Sequence, residues 1–163
     1  MRAIKLATAQ FENKSGDNNY NLNAIRRLAE KAALFQAHAL AFHECSITGY
    51  TFARNLSKQQ MLDLAEHIPE GESINRLTEI ASDFDITVLA GLFEKDSAEK
   101  LYKAYVCVDK NGLVAKYRKL HPFINPHYTP GDKYVVFDLH GWKCGILICY
   151  DNNIFENVRA TTL

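Results

Sequence analysis

The chain has 163 residues, of which 47% are hydrophobic and 23% charged; that is ordinary for a soluble globular protein and supplies apolar material for one packed core. Its 19 Lys and Arg match its 19 Asp and Glu, so no net charge draws it to nucleic acid or to an anionic membrane. No stretch approaches the roughly 20 apolar residues of a membrane span.

Residues 1–10 lack a small-residue cleavage site and run straight into a strand pattern, so they read as mature protein and not as a signal peptide. The apolar run 4–9 suits a buried strand, and a polar loop follows over 13–19. The spacing then predicts a helix over 21–37, with Leu22, Ile25, Leu28, Ala29, Ala32 and Phe35 on one face. Another short apolar run occupies 39–43. Helices are predicted over 56–67 and 72–84, divided by Pro69 and Gly71, with Ser73 or Glu72 where a cap would lie.

Beyond this point strands dominate. Residues 86–93 are apolar and β-branched. Residues 101–108 and 113–119 flank Asp109-Lys110-Asn111-Gly112, and Asn-Gly between two such runs is a strong hairpin signal. Strands follow over 134–139 and, through Gly141, over 142–149, and a last helix is expected from about 152. The order predicts an α/β fold with helices layered on a mixed sheet. Residues 160–163 carry no stop signal, so the fold is expected to be incomplete at the C-terminus, with one sheet edge or face uncovered.

Four cysteines, Cys45, Cys107, Cys144 and Cys149, show neither CxxC pairing nor a secreted framework, so reduced thiols in a cytoplasmic protein are the simplest reading. Cys107 and Cys144 lie inside strand patterns and read as core. Cys149 closes an apolar run just before polar residues. A cysteine at the carboxyl end of a strand, ahead of a helix, stands where α/β folds place ligands, and helix-terminal N–H groups there favour a thiolate. It reads as a nucleophile or as a buried structural thiol. Glu44 ends another apolar run and reads as a general base or as a solvated loop residue. Lys119 reads as an oxyanion-stabilising cation or as an ordinary strand-end lysine beside Lys116 and Arg118. His43, His121 and His127 fall near the same strand ends, which leaves a Cys–His hydrolase open. A metal site of His43, Cys45, His121 and Cys149 lacks the close ligand spacing of a zinc motif. No phosphate-binding glycine loop is present.

Three segments, Phe42-His43-Glu44-Cys45-Ser46-Ile47-Thr48-Gly49-Tyr50, Tyr117-Arg118-Lys119-Leu120-His121 and Gly145-Ile146-Leu147-Ile148-Cys149-Tyr150-Asp151, together resemble the nitrilase superfamily of carbon–nitrogen hydrolases. They occur in family order, and the resemblance spans the chain. It implies the N-terminal part of an α-β-β-α sandwich, a single carbon–nitrogen hydrolase domain over 1–163. It implies Glu44 as base, Lys119 as oxyanion stabiliser and Cys149 as nucleophile, with Tyr150, Tyr50 and His121 at the substrate. It further implies a cytoplasmic dimer that needs no metal or organic cofactor and cleaves a small amide, carbamoyl compound or nitrile. The chain departs from the family pattern in two places: His43 stands where a proline is usual, and residues 120–131 hold no second acidic residue. A binding module that keeps the fold without turnover is the alternative.

Overall fold

The computed structural model describes residues 3–163. Strands β1 (Leu6–Thr8), β2 (Ala39–Ala41), β3 (Thr87–Lys95), β4 (Leu101–Asp109) and β5 (Gly112–Arg118) form one sheet in sequence order. β1, β2 and β3 run parallel, whereas β4 and β5 add as an antiparallel meander. β5 therefore points the same way as β2, and residues that follow either strand emerge at the same end of the sheet. The Asp109–Gly112 turn closes the β4–β5 hairpin, with Gly112 at φ 114 as its turn chemistry demands.

Period-2 alternation sends each strand's side chains to two different layers. On one face Val88, Ala90, Leu92, Ala104, Val106 and Val108 pack under helices α1 (Asn18–Leu34) and α3 (Glu72–Phe84). On the other face Leu89, Cys107, Ala115 and Tyr117 pack against Leu139, Ile146 and Ile148. That second layer belongs to a separate two-stranded ribbon, β6 (Val136–Leu139) and β7 (Trp142–Gly145). The layers are thus helix, sheet, sheet, as the sandwich expectation requires. A third cluster, with Phe93, Leu101, Met61 and Tyr128, fills the end of the main sheet beneath the short helix α2 (Lys58–Leu64).

Several boundaries differ from the sequence reading, each for a local reason. β1 is an edge strand, so Leu6 is 55% exposed and not buried. α1 begins earlier because Asp17, in the polar loop, caps it by accepting from the Tyr20 N–H at 3.0 Å. It ends at Leu34, leaving Phe35 exposed, as Gln36 turns left-handed. α2 starts on a Ser57–Gln60 capping box and stops when Glu66 goes extended to pair with Glu94 of β3. Neither Ser73 nor Glu72 caps α3. Gly71 holds the cap position, and Glu66, five residues before Gly71 in sequence, accepts from the Ser73 N–H at 2.7 Å.

The largest difference concerns 142–149. Only residues 142–145 pair as a strand, and they pair with β6 and not with the main sheet. Residues 146–148 lay Ile146 and Ile148 into the inter-sheet core, and a 3-10 turn (Cys149–Asn153) precedes α4 (Phe155–Thr162).

One contact ties the sheet to the loop after β2. A Cβ on Gly91 would lie 2.5 Å from the Cys45 nitrogen, and the Gly91 carbonyl accepts from the Ile47 N–H at 2.9 Å. Only glycine allows that approach. Gly91→Ala is expected to lower stability by about 2 kcal/mol, read as a fall in the urea midpoint with unchanged slope; an unmoved midpoint would show that the loop is not held this way.

Candidate active site

Glu44 opens the turn that follows β2. The turn is fixed on three sides: Ile47 bonds β3, the Asn13 amide donates to the Cys45 carbonyl, and the buried Asn21 amide donates to the Ile47 carbonyl. His43, the residue before Glu44, packs its ring against Phe11 at 5.2 Å, and burial holds its pKa below the usual histidine value. The backbone thus aims Glu44 without the usual proline.

Lys119 follows β5 directly. Its N–H bonds the Lys103 carbonyl of β4 and its carbonyl accepts from the Gly131 N–H, so the backbone is clamped from both sides. The side chain is fully buried and donates from Nζ to Glu44 Oε1 at 2.8 Å. An ammonium with no water around it needs such a partner. A second lysine stands beside the pair. Lys103, on β4 and 1% exposed, holds Nζ 3.5 Å from the same Oε1. Its Nζ lies 4.0 Å from the Tyr50 ring centroid and 5.0 Å from that of Tyr128. Burial, reinforced by Glu44, pushes the Tyr50 hydroxyl up to about 12, so it stays protonated.

Cys149 heads the 3-10 turn with φ 47, a left-handed conformation that few non-glycine residues adopt, and its side chain is exposed. Glu44 and Cys149 line one cavity of about 390 Å³, together with Phe42, Leu89, Tyr105 and Ile148. The turn is anchored by Asp151, which is fully buried. Its carboxylate accepts from the Tyr117 hydroxyl at 2.7 Å, the His121 N–H at 2.9 Å and the Leu120 N–H at 3.3 Å. The His121 ring contacts it at 3.1 Å. One carboxylate therefore joins the Cys149 turn to the segment that carries Lys119.

Chemically, a cavity holding an accessible thiol and a carboxylate, backed by a buried ammonium, can pass a proton from sulfur and stabilise negative charge on an oxygen. The cavity lining includes none of the other predicted residues. Tyr50 sits at the Glu44–Lys103 contact. Tyr150 is 53% exposed, and its ring meets His121 at 6.3 Å. Since His121 bonds Asp151 and His43 packs on Phe11, neither ring pairs with Cys149. Among the described residues no three His, Cys, Asp or Glu side chains form a group that could hold a metal ion. Cys45 and Cys107 are buried, and burial pushes both thiols up to about 12. Cys144 is half-buried at the edge of the inter-sheet core.

Two residues escaped the sequence reading. Lys103 interrupts the apolar run 101–108, and a charge at an inward strand position was the available signal. Asp151 looked like one of several polar residues after Cys149, and nothing local marks it as buried.

The carbon-nitrogen hydrolase family model matches residues 5–163. The chain is 32% identical over 163 residues to a nitrilase from Pyrococcus abyssi, covering 98% of this chain and 61% of the relative. It is 30% identical over 168 residues to an omega-amidase from Xenopus tropicalis, covering 96% and 58%. Among solved structures, an amidase from Nesterenkonia sp. AN1, captured with acrylamide added at its active-site cysteine, matches with a TM-score of 0.78 at 23% identity, over 97% of this chain and 62% of that one; this is a likeness of fold. The chain spans less than two thirds of the length of each of these proteins. With the motifs in order, the layers in place and the family model matched across nearly every residue, the chain belongs to the carbon-nitrogen hydrolases of the nitrilase superfamily.

Proposed function

We propose that this chain carries the reacting groups of an amidase that cleaves small carboxamides through a cysteine thioester. One observation carries the reading: Glu44, paired with the buried Lys119, lines one cavity with the exposed Cys149. Relatives named as an omega-amidase and an (R)-stereoselective amidase support an amide substrate, beside the relative named as a nitrilase. The accessible cysteine favours turnover over a binding module.

In this mechanism the Cys149 Sγ attacks the amide carbon while Glu44 takes the thiol proton. The carbonyl oxygen becomes an oxyanion held by the Lys119 ammonium and the Tyr150 N–H. Glu44 returns the proton to nitrogen, the C–N bond breaks, and ammonia leaves a thioester behind. Water then attacks the thioester carbon and loses its proton to Glu44. The C–S bond breaks, the carboxylic acid departs, and the proton returns to Cys149. Tyr50 and His121 are assigned to substrate contact, as the resemblance implies. No metal or organic cofactor enters any step. As the resemblance implies, the working enzyme is taken to be a cytoplasmic homodimer. Nucleic acid and membrane have no part in the scheme, and among the described residues no helix is long and apolar enough to cross a membrane.

Cys149→Ala is expected to cut ammonia release from small carboxamides to below about one-thousandth of the parent rate, because the covalent route is removed. Its melting temperature should stay close to the parent's, since the side chain is exposed. Undiminished release would refute a thioester.

Brief iodoacetamide treatment under native conditions, followed by peptide mapping, should label Cys149 first, then Cys144, and Cys45 and Cys107 last. The order follows from exposure and from the burial that disfavours the other three thiolates. Faster labelling of Cys45 or Cys107 would remove Cys149 from its role.

A further inference from the structure

The side chain hardest to explain as structure alone is Lys103. It is the third charged group at Glu44, it is 1% exposed, and its Nζ has no hydrogen-bond partner. Its surroundings are Glu44 Oε1 at 3.5 Å and the faces of Tyr50 and Tyr128. A buried ammonium with three unmet N–H donors costs stability that an apolar side chain of the same length would not. Cation–π contact recovers only part of that cost.

We propose that Lys103 is a positioning residue for Glu44: together with Lys119 it holds Oε1, and so leaves Oε2 as the oxygen that faces the cavity and takes the Cys149 proton. Both ammonium groups address the same carboxylate oxygen, Lys119 at 2.8 Å and Lys103 at 3.5 Å. No protein group bonds Oε2 among the described residues, while Glu44 lines the cavity it shares with Cys149. One lysine would leave the carboxylate free to swing about its own bond. Two, arriving from different strands, fix the position of Oε1. The aromatic walls keep the second lysine from turning to other acceptors, since neither ring face offers an oxygen. The inference rests on the catalytic reading of Glu44 and Cys149 given above.

The titratable and charged groups facing Lys103 are Glu44 and Cys45 from the turn after β2, Tyr50 just beyond that turn, Lys119 after β5, and Tyr128 from the loop that follows; Cys149 meets the cluster through Tyr50. Burial lowers the Lys103 pKa below the ordinary lysine value. The folded chain therefore holds the ammonium less well than the unfolded chain does. Below its folded-state pKa the charged form counts against folding. Removing the charge should relieve that burden, leaving Glu44 still paired with Lys119. It should also leave Oε1 held by Lys119 alone, so that Oε2 is no longer kept turned towards the Cys149 thiol.

The test measures the rate of Cys149 alkylation by iodoacetamide against pH for the parent, Lys103→Met and Lys103→Gln, beside their melting temperatures. Both variants should shift the alkylation midpoint to higher pH by about 1 unit, and Lys103→Met should melt no lower than the parent. The acid limb of kcat/KM on a carboxamide should move the same way. An alkylation midpoint unmoved in both variants overturns the proposal. So does loss of the folded state in both, because Lys103 would then serve the fold and not Glu44. Alkylation needs no turnover: a parent that releases no ammonia yet shows the shift would defeat the amidase reading while leaving Lys103 in its place.

Discussion

The constraint on which this architecture rests is the placement of charge inside it. Glu44 and Lys119 lie 75 residues apart in sequence, yet the fully buried Lys119 ammonium meets the half-buried Glu44 carboxylate at 2.8 Å. Lys119 could not be buried alone, because an unpaired charge in a dry interior costs several kcal/mol. The pair therefore requires that β2 and β5 end at the same edge of the sheet. With β5 joined to β4 by a tight hairpin, that in turn requires β4 to run against both of them. The mixed topology, parallel on one side of β3 and antiparallel on the other, satisfies this requirement. A second buried acid follows the same rule with different chemistry. Glu94 is 1% exposed and is neutralised by Lys116 at 2.6 Å and by both arms of the Arg118 guanidinium. Arg118 stacks 3.7 Å from the Tyr102 ring centroid, a geometry that its planar fork allows and an ammonium would not.

The cysteine reaches this arrangement from another layer. Its lead strand belongs to the β6–β7 ribbon, which is stacked on the main sheet through Leu139, Ile146 and Ile148. Apolar packing brings the two sheets together but fixes no angle about the contact. Asp151 supplies the missing direction by gathering the Tyr117 hydroxyl and the backbone of Leu120 and His121. The division of labour is physical: burial sets the distance between layers, and directed hydrogen bonds set the register. The left-handed backbone at Cys149 is then tolerated because the groups on both sides of it are held.

Much of this was legible in the sequence because it is local. The Asn111–Gly112 turn, the helical face from Leu22 to Ala32 and the alternating strands 101–108 and 113–118 are written in period and turn chemistry, and the structure contains them. The three motifs around Glu44, Lys119 and Cys149 were readable because they occur together in family order, and Glu44 and Cys149 also close apolar runs. What was not legible is long-range. Glu66 caps α3 from outside the helix, so no cap signal at Ser73 could predict it. Residues 142–149 read as one strand, but only Trp142–Gly145 pair in the ribbon, and Ile146 and Ile148 are apolar because they face the other sheet. Asp151 and Lys103 depend on strands far away in sequence. Their polar character was visible and their burial was not.

The shared anchor has a mechanical consequence. If Cys149 and Lys119 were fixed to unrelated parts of the chain, their thermal displacements would be independent and the variance of their separation would be the sum of both. Because Asp151 ties the Cys149 turn to the backbone of Leu120 and His121, next to Lys119, much of any displacement is common to both groups and drops out of the difference. The separation between the Cys149 thiol and the Lys119 cation can therefore be held more narrowly than either is held in space. A site built this way tolerates breathing of the surrounding layers, because it is the relative and not the absolute coordinate that governs whether the reacting atoms meet.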